Sequence, residues 1–364
     1  MADRIRPDRE LLTEIHRAAA EQATKARADL THIDADGVVA AVHDARKRCK
    51  KIRGLARLVR PALGDRYRTT NEAFREAARA LSPHRDAQAL LDTFDRLVSV
   101  DAERLPPGGL GVVRGELAAR SRHSIEAFDR SHESVEQALG FLSDGVEVVD
   151  SWSLDCDGWS AIGAGLHKTY ARGVDALAIA TDDGSSEDFH ELRKRAKYTW
   201  YHVRLLETTA PSILRPLAAR LHELSDALGD AHDLSVLTAL LRREHEAFGG
   251  ATTVDAAVSF FDERRRDLEG RSLGLAHRLY VESPKRFSQR LGAYWVQHGR
   301  WGDERAVGGI DDVAPNSTTD DFDEMSVKEL QTIARDADLA GRSSMVRDDL
   351  VASLRAAGVG RSLR

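Results

Sequence analysis

The chain has 364 residues, with 53 Lys+Arg against 59 Asp+Glu for a formal net charge of −6; 42% of it is apolar and 6% aromatic. That apolar share supports a buried core and excludes wholesale disorder. Cys49 and Cys156 are too few cysteines for a secreted disulfide scaffold or a four-Cys zinc site, and the negative balance argues against a general nucleic-acid coat. No apolar run approaches the roughly 20 residues of a membrane helix. The charged start lacks the apolar stretch of a signal peptide, so a cytoplasmic protein with reduced thiols is expected.

Along the first 300 residues Ala, Leu, Arg and Glu dominate, and alternating β-branched runs are almost absent, which predicts helix throughout. Breakers cluster at 34–37, 61–64, 106–109, 155–158 and 182–186. Between them apolar residues recur at three- and four-residue spacing, the pattern of a helical bundle. Residues 311–324 carry six acids and no base, which reads as a solvated linker. Beyond it, Ser326 as N-cap and Glu329 in a capping box predict a short helix, with a second helix near 345–356.

An internal repeat organises the first 300 residues. At an offset of 147 and with no gap, His43 matches His190, Arg46 matches Arg193, Lys47 matches Lys194 and Lys50 matches Lys197; further on, Leu81 matches Leu228 and Asp86 matches Asp233. The expected organisation is therefore a first helical repeat over 1–150, a second over 151–305, an acidic linker over 306–324 and a small C-terminal module over 325–360.

Within each copy, one helix is strongly basic. At 100° per residue, His43, Arg46, Lys47, Lys50, Gly54 and Arg57 fall in a stripe about 100° wide, while Val42, Ala45, Cys49, Ile52 and Leu55 lie opposite. His190, Arg193, Lys194, Lys197, Tyr201 and Arg204 occupy the same angles in the second copy. Residues 43–60 hold eight Lys/Arg against the single acid Asp44. Ordinary solvated faces mix signs, because like charges at i,i+4 repel. One sign stacked over several turns, twice, points instead to a bound polyanion. No P-loop or Rossmann fingerprint is present, and a row of cations along a helix suits an extended, repeating charge better than a single phosphate. Inside a phosphate-rich field the histidine pKa is expected to rise, adding charge.

The arrangement H-x-x-R-K-x-x-K-K-x-R at 43–53 and H-x-x-R-K-x-x-K at 190–197, with the segments 81–86 and 228–233, resembles the CHAD family of conserved-histidine α-helical domains. That resemblance implies an all-α fold of two tandem four-helix bundles related by a pseudo-twofold axis, with a basic groove between them. It also implies non-catalytic binding of inorganic polyphosphate. Carried over by position, the phosphate contacts are His43, Arg46, Lys47, Lys50, Lys51, Arg53, Arg57, His190, Arg193, Lys194, Lys197 and Arg204. Arg85, Asp86, Tyr201, His232 and Asp233 would support them, the carboxylates by orienting bases or capping helices. The chain departs from the pattern at Trp200, against Arg53, and at His232, against Arg85.

Enzyme readings find less support. The dipeptides His43-Asp44 and His232-Asp233 suggest a metal phosphohydrolase, yet neither is preserved between the copies. Glu187 and His190 form one E-x-x-H where a di-iron bundle needs two. No triphosphate-tunnel E-x-E-x-K or G-x-S-x-G is present. No catalytic residue, metal or cofactor is assigned, and the expected function is polyphosphate binding in the cytoplasm, with targeting to polyphosphate granules. Residues 325–356, with Leu330, Ala334, Leu339, Gly341, Met345, Leu350 and Leu354, resemble the helix–extended-loop–helix modules of the SAP and Rho-N-terminal type. They carry Asp348 and Asp349 where such modules have bases. This leaves a nucleic-acid-associated adaptor as the alternative, ahead of a phosphohydrolase.

Overall fold

A computed structural model describes residues 4–31, 37–100, 110–130, 133–301, 330 and 347–356. Among these residues the structure is helical and contains no strand. The chain divides into two compact units, Met1–Val307 and Gly308–Arg364.

In the first unit the helices follow the repeat. Helix α1 (Leu11–Thr31) corresponds to α8 (Trp159–Asp183), and α2 (Val38–Leu58) to α9 (Ser186–Leu205). The short α3 (Arg60–Leu63) stands where the second copy has a 3-10 turn at Glu207–Thr209. Helices α4 (Arg66–Ala80) and α5 (Pro83–Val100) together match the single α10 (Pro211–Arg243). Then α6 (Leu110–Arg130) matches part of α11 (Ala251–Leu279), and α7 (Glu133–Asp150) matches α12 (Pro284–Trp301). The break between α4 and α5 has a local cause. Pro83 has no N–H to donate and a proline cannot continue a helix already begun, while Ser82 N–H closes on the Arg79 carbonyl at 2.9 Å. Gly229-Asp230 at the matching place lets α10 run on for 33 residues.

The apolar faces bury into two cores, and both draw on both copies. The larger joins Ile15, Ile52, Phe74 and Leu142 from the first copy with Leu166, Leu192, Leu221 and Phe287 from the second. The smaller is built where α5 and α6 meet α10 and α11: Phe94, Leu97, Val113 and Leu117 pack with Leu237, Phe248, Val258 and Phe261. An Arg96–Asp230 ion pair at 2.9 Å and Arg120–Glu244 at 2.5 Å flank this second core. Two further contacts tie the copies. Ile5 N–H donates to the Leu205 carbonyl at 2.9 Å, and α8 presses so closely on the end of α2 that a Cβ on Gly165 would lie 1.8 Å from the Leu58 carbonyl oxygen.

In the second unit, α13 (Arg347–Ala356) buries Leu350, Val351 and Leu354, and Leu330 is buried as well. The acidic linker and the predicted cap at Ser326 and Glu329 lie outside the described residues, as do Ala334, Leu339, Gly341 and Met345. No helix among the described residues is long and apolar enough to cross a membrane.

Candidate functional site

Helix α9 starts at a defined point. Ser185 accepts from the Asp188 N–H while Asp188 reaches back to the Ser185 N–H, a capping box that places His190 one turn into the helix. On α2, Val42, Ala45, Cys49, Ile52, Leu55 and Ala56 are buried, so the opposite face carries the cations. Burial pushes the Cys49 thiol up to about 12 even with Arg53 and Arg46 nearby, leaving it a packing residue.

The two basic helices border one cavity of about 480 Å³. Helix α2 contributes His43, Arg46, Lys47, Lys50, Lys51 and Arg53; α9 contributes His190, Arg193, Lys194 and Lys197. Eight Lys/Arg therefore face it, and among the described residues no Asp or Glu side chain lines it. Several of these cations are held by their own packing. Arg46 donates to the Ala78 carbonyl at 2.8 Å and to the Ser82 hydroxyl. Its counterpart Arg193 instead lies against Gly229, where an added Cβ would stand 3.1 Å from Nε. Arg53 Nε donates to Asn71 Oδ1 at 3.0 Å, and Lys194 pairs with Glu191 at 2.5 Å.

Two of the expected contacts sit elsewhere. The Arg57 guanidinium lies 4.0 Å over the ring of Tyr198, on the wall of a neighbouring cleft, and Arg204 lies 5.7 Å over Trp200. Tyr201 does line the cavity, although it is largely buried. Its ring covers Gly54, where a Cβ would come within 2.8 Å of Cδ1. The backbone at Arg85 and Asp86 belongs to α5, but their side chains lie outside the described residues.

His232 stacks on His190 with ring centroids 3.9 Å apart. Burial first, and then the charges of His232, Lys194 and Arg193, push His190 down to about 4. Burial and Arg193 likewise lower His232, against an opposing pull from Asp233. Both rings are thus neutral near pH 7 in the ligand-free protein; the rise expected inside a phosphate field belongs to the phosphate-bound state. His190 Nδ1 is buried without a hydrogen-bond partner.

Tyr198 and His222 also line the cavity and were not singled out from the sequence, and Trp200, marked there as a departure from the repeat, lines it too. At the repeat offset Tyr198 and Trp200 stand where Lys51 and Arg53 stand in the first copy, so the alignment already held that signal. His222 reaches the wall from α10, packed edge-on to Trp200 at 4.5 Å, and no pattern along α9 points to it.

A family model for the CHAD domain matches residues 12–242, from the second residue of α1 to the last but one of α10. The chain belongs to the CHAD family. Both basic helices of this CHAD protein, and every residue lining the cavity, fall within the matched span. Among curated proteins no match was found.

Proposed function

We propose that this CHAD protein binds inorganic polyphosphate in the cavity between α2 and α9, without transforming it. The observation that carries the reading is a cavity bordered by eight Lys/Arg, with no carboxylate among the described residues of its lining. Like charges gathered on one wall raise the local positive potential and attract an anion. From His43 to Arg53 the cationic wall runs for about 15 Å of helix, a length that suits a chain of phosphates rather than one. Arginine supplies paired donors to phosphate oxygens and lysine supplies point charge. Among the described residues the lining offers cations, histidines and aromatic rings, a set suited to gripping an anion. On this reading the two copies act as a pseudo-twofold pair of bundles around one basic groove, and the protein works in the cytoplasm on polyphosphate granules.

The test is a titration of the full chain with long-chain polyphosphate, and with DNA and RNA of equal charge. Polyphosphate should bind tightest, its affinity falling by about a hundredfold or more between 50 and 200 mM salt as counterions are released. Equal affinity for all three polyanions would overturn the assignment. Preference for DNA or RNA would move the function to the nucleic-acid adaptor.

A further inference from the structure

Arg57, displaced from the main cavity, belongs to a second cluster of cations. Together with Arg60, Lys168, Arg172 and Arg195 it lines a cleft between the end of α2, α3, α8 and α9. The repeat supplies an internal control for this cluster. At the offset of 147 the five positions become Arg204, Glu207, Glu21, Lys25 and Arg48. There the charges are matched: Glu21 takes Lys25 at 2.5 Å, Asp29 takes Arg48 at 2.5 Å, and Glu207 takes Arg4 at 2.9 Å and Arg215 at 3.0 Å. In the cleft both glutamates are replaced by bases, and the position equivalent to Asp29 is Ala176. Arg195 retains an ion pair with Glu191, but among the described residues no carboxylate pairs with Arg57, Arg60, Lys168 or Arg172. Burial and the charges of Arg195, Arg57 and Arg60 lower the pKa of Arg172, so the gathered cations already work against one another.

A concentration of charge that one copy neutralises and the other leaves open calls for an anion from outside. We propose that Arg57, Arg60, Lys168, Arg172 and Arg195 form a second anion site that takes one phosphoryl group. The enclosed part of the cleft is only about 10 Å³, room for a single oxygen-sized group. One phosphoryl oxygen enters while the remainder of the group stays at the mouth, within reach of the exposed Lys168. Guanidinium groups converging from α2, α3, α8 and α9 match a tetrahedral, multiply charged oxyanion better than a planar carboxylate. Arg57, stacked on Tyr198, stands between this cleft and the main cavity, since Tyr198 lines that cavity. The site does not depend on what the main cavity binds.

Equilibrium dialysis of the full-length protein against labelled orthophosphate, tripolyphosphate and long-chain polyphosphate tests it. Wild type should show a site of its own class beside the cavity. Arg60→Glu with Lys168→Glu, which copies the charges of the matched position, should weaken that class about a hundredfold and spare the cavity class, whose retention also reports folding. Lys47→Glu with Lys197→Glu should do the opposite, and failure of the cavity reading alone would leave the cleft class in place. The milder Arg172→Gln should weaken the cleft class by about tenfold, and serves if the double variant does not fold. Filling by orthophosphate identifies free phosphate as the ligand; filling only by tripolyphosphate and longer chains identifies a chain end. The absence of a second class with every probe, or a class that survives all these substitutions, would overturn the proposal.

Discussion

Helices α2 and α9 descend from one pattern and have diverged where they meet. Gly54 and Tyr201 are equivalent positions in the repeat, yet they touch each other: the Tyr201 ring fills the space a Cβ on residue 54 would need. One step further, Leu55 is matched by His202, whose Nε2–H donates to the Gly54 carbonyl at 3.1 Å. Two copies that press together at equivalent residues cannot both keep a large side chain there. The two walls differ accordingly: α2 presents five Lys/Arg to the cavity and α9 three, with Tyr198, Trp200 and Tyr201 completing the α9 side.

The largest test of this difference is charge reversal on one helix at a time. Lys47, Lys50 and Lys51→Glu on α2 should weaken polyphosphate binding about a thousandfold, roughly 4 kcal/mol, while Lys194 and Lys197→Glu on α9 should cost about tenfold to a hundredfold. Equal losses would remove the asymmetry between the walls. Next in size is Gly165→Ala, which installs the alanine found at the matching Ala18. Its Cβ would meet a backbone carbonyl that cannot swing aside, and urea unfolding should register about 3 kcal/mol of destabilisation.

The pH dependence of stability follows. Burial pushes His202 down to about 3 in the folded chain, against about 6.5 when unfolded. Above pH 6.5 the ring is neutral in both states and the stability is fully present; as the pH falls the unfolded chain takes up the proton first. About 2 kcal/mol should be lost between pH 7 and pH 5 through this group. His202→Leu, copying Leu55, should flatten that part of the profile; an unchanged slope would assign the loss elsewhere. The smallest effect is a coupling of about 1 kcal/mol between Gly54→Ala and Tyr201→Ala in a double-mutant cycle, since trimming the ring makes room for the added methyl.

Helical class, duplication and the cationic stripe were all legible in the chain, because each is written in local spacing. Their common limit is contact between elements. The α4–α5 break turns on Pro83 against Asp230, a difference visible only when the two copies are compared residue by residue. His222 reaches the cavity through packing of α10 on α9, which no periodicity within α9 encodes. Arg57 shares the wheel angle of the cavity residues but sits beyond Gly54, where Tyr198 and Tyr201 close the cavity and turn it toward α8. His190 carries the motif that marks the site, yet its pKa is lowered first by burial and then by His232, which comes from another helix.

The smaller core has a consequence for how the molecule can be divided. Phe94, Leu97, Val113 and Leu117 have their apolar partners on α10 and α11, across the boundary between the copies. Cleavage within residues 151–158 would separate two fragments of related sequence, neither holding a closed interior. Each would show its half of that core to water and draw in the other, or a second copy of itself. Reassembly is therefore the expected outcome of such a cut, and co-elution of the two fragments in gel filtration would check it.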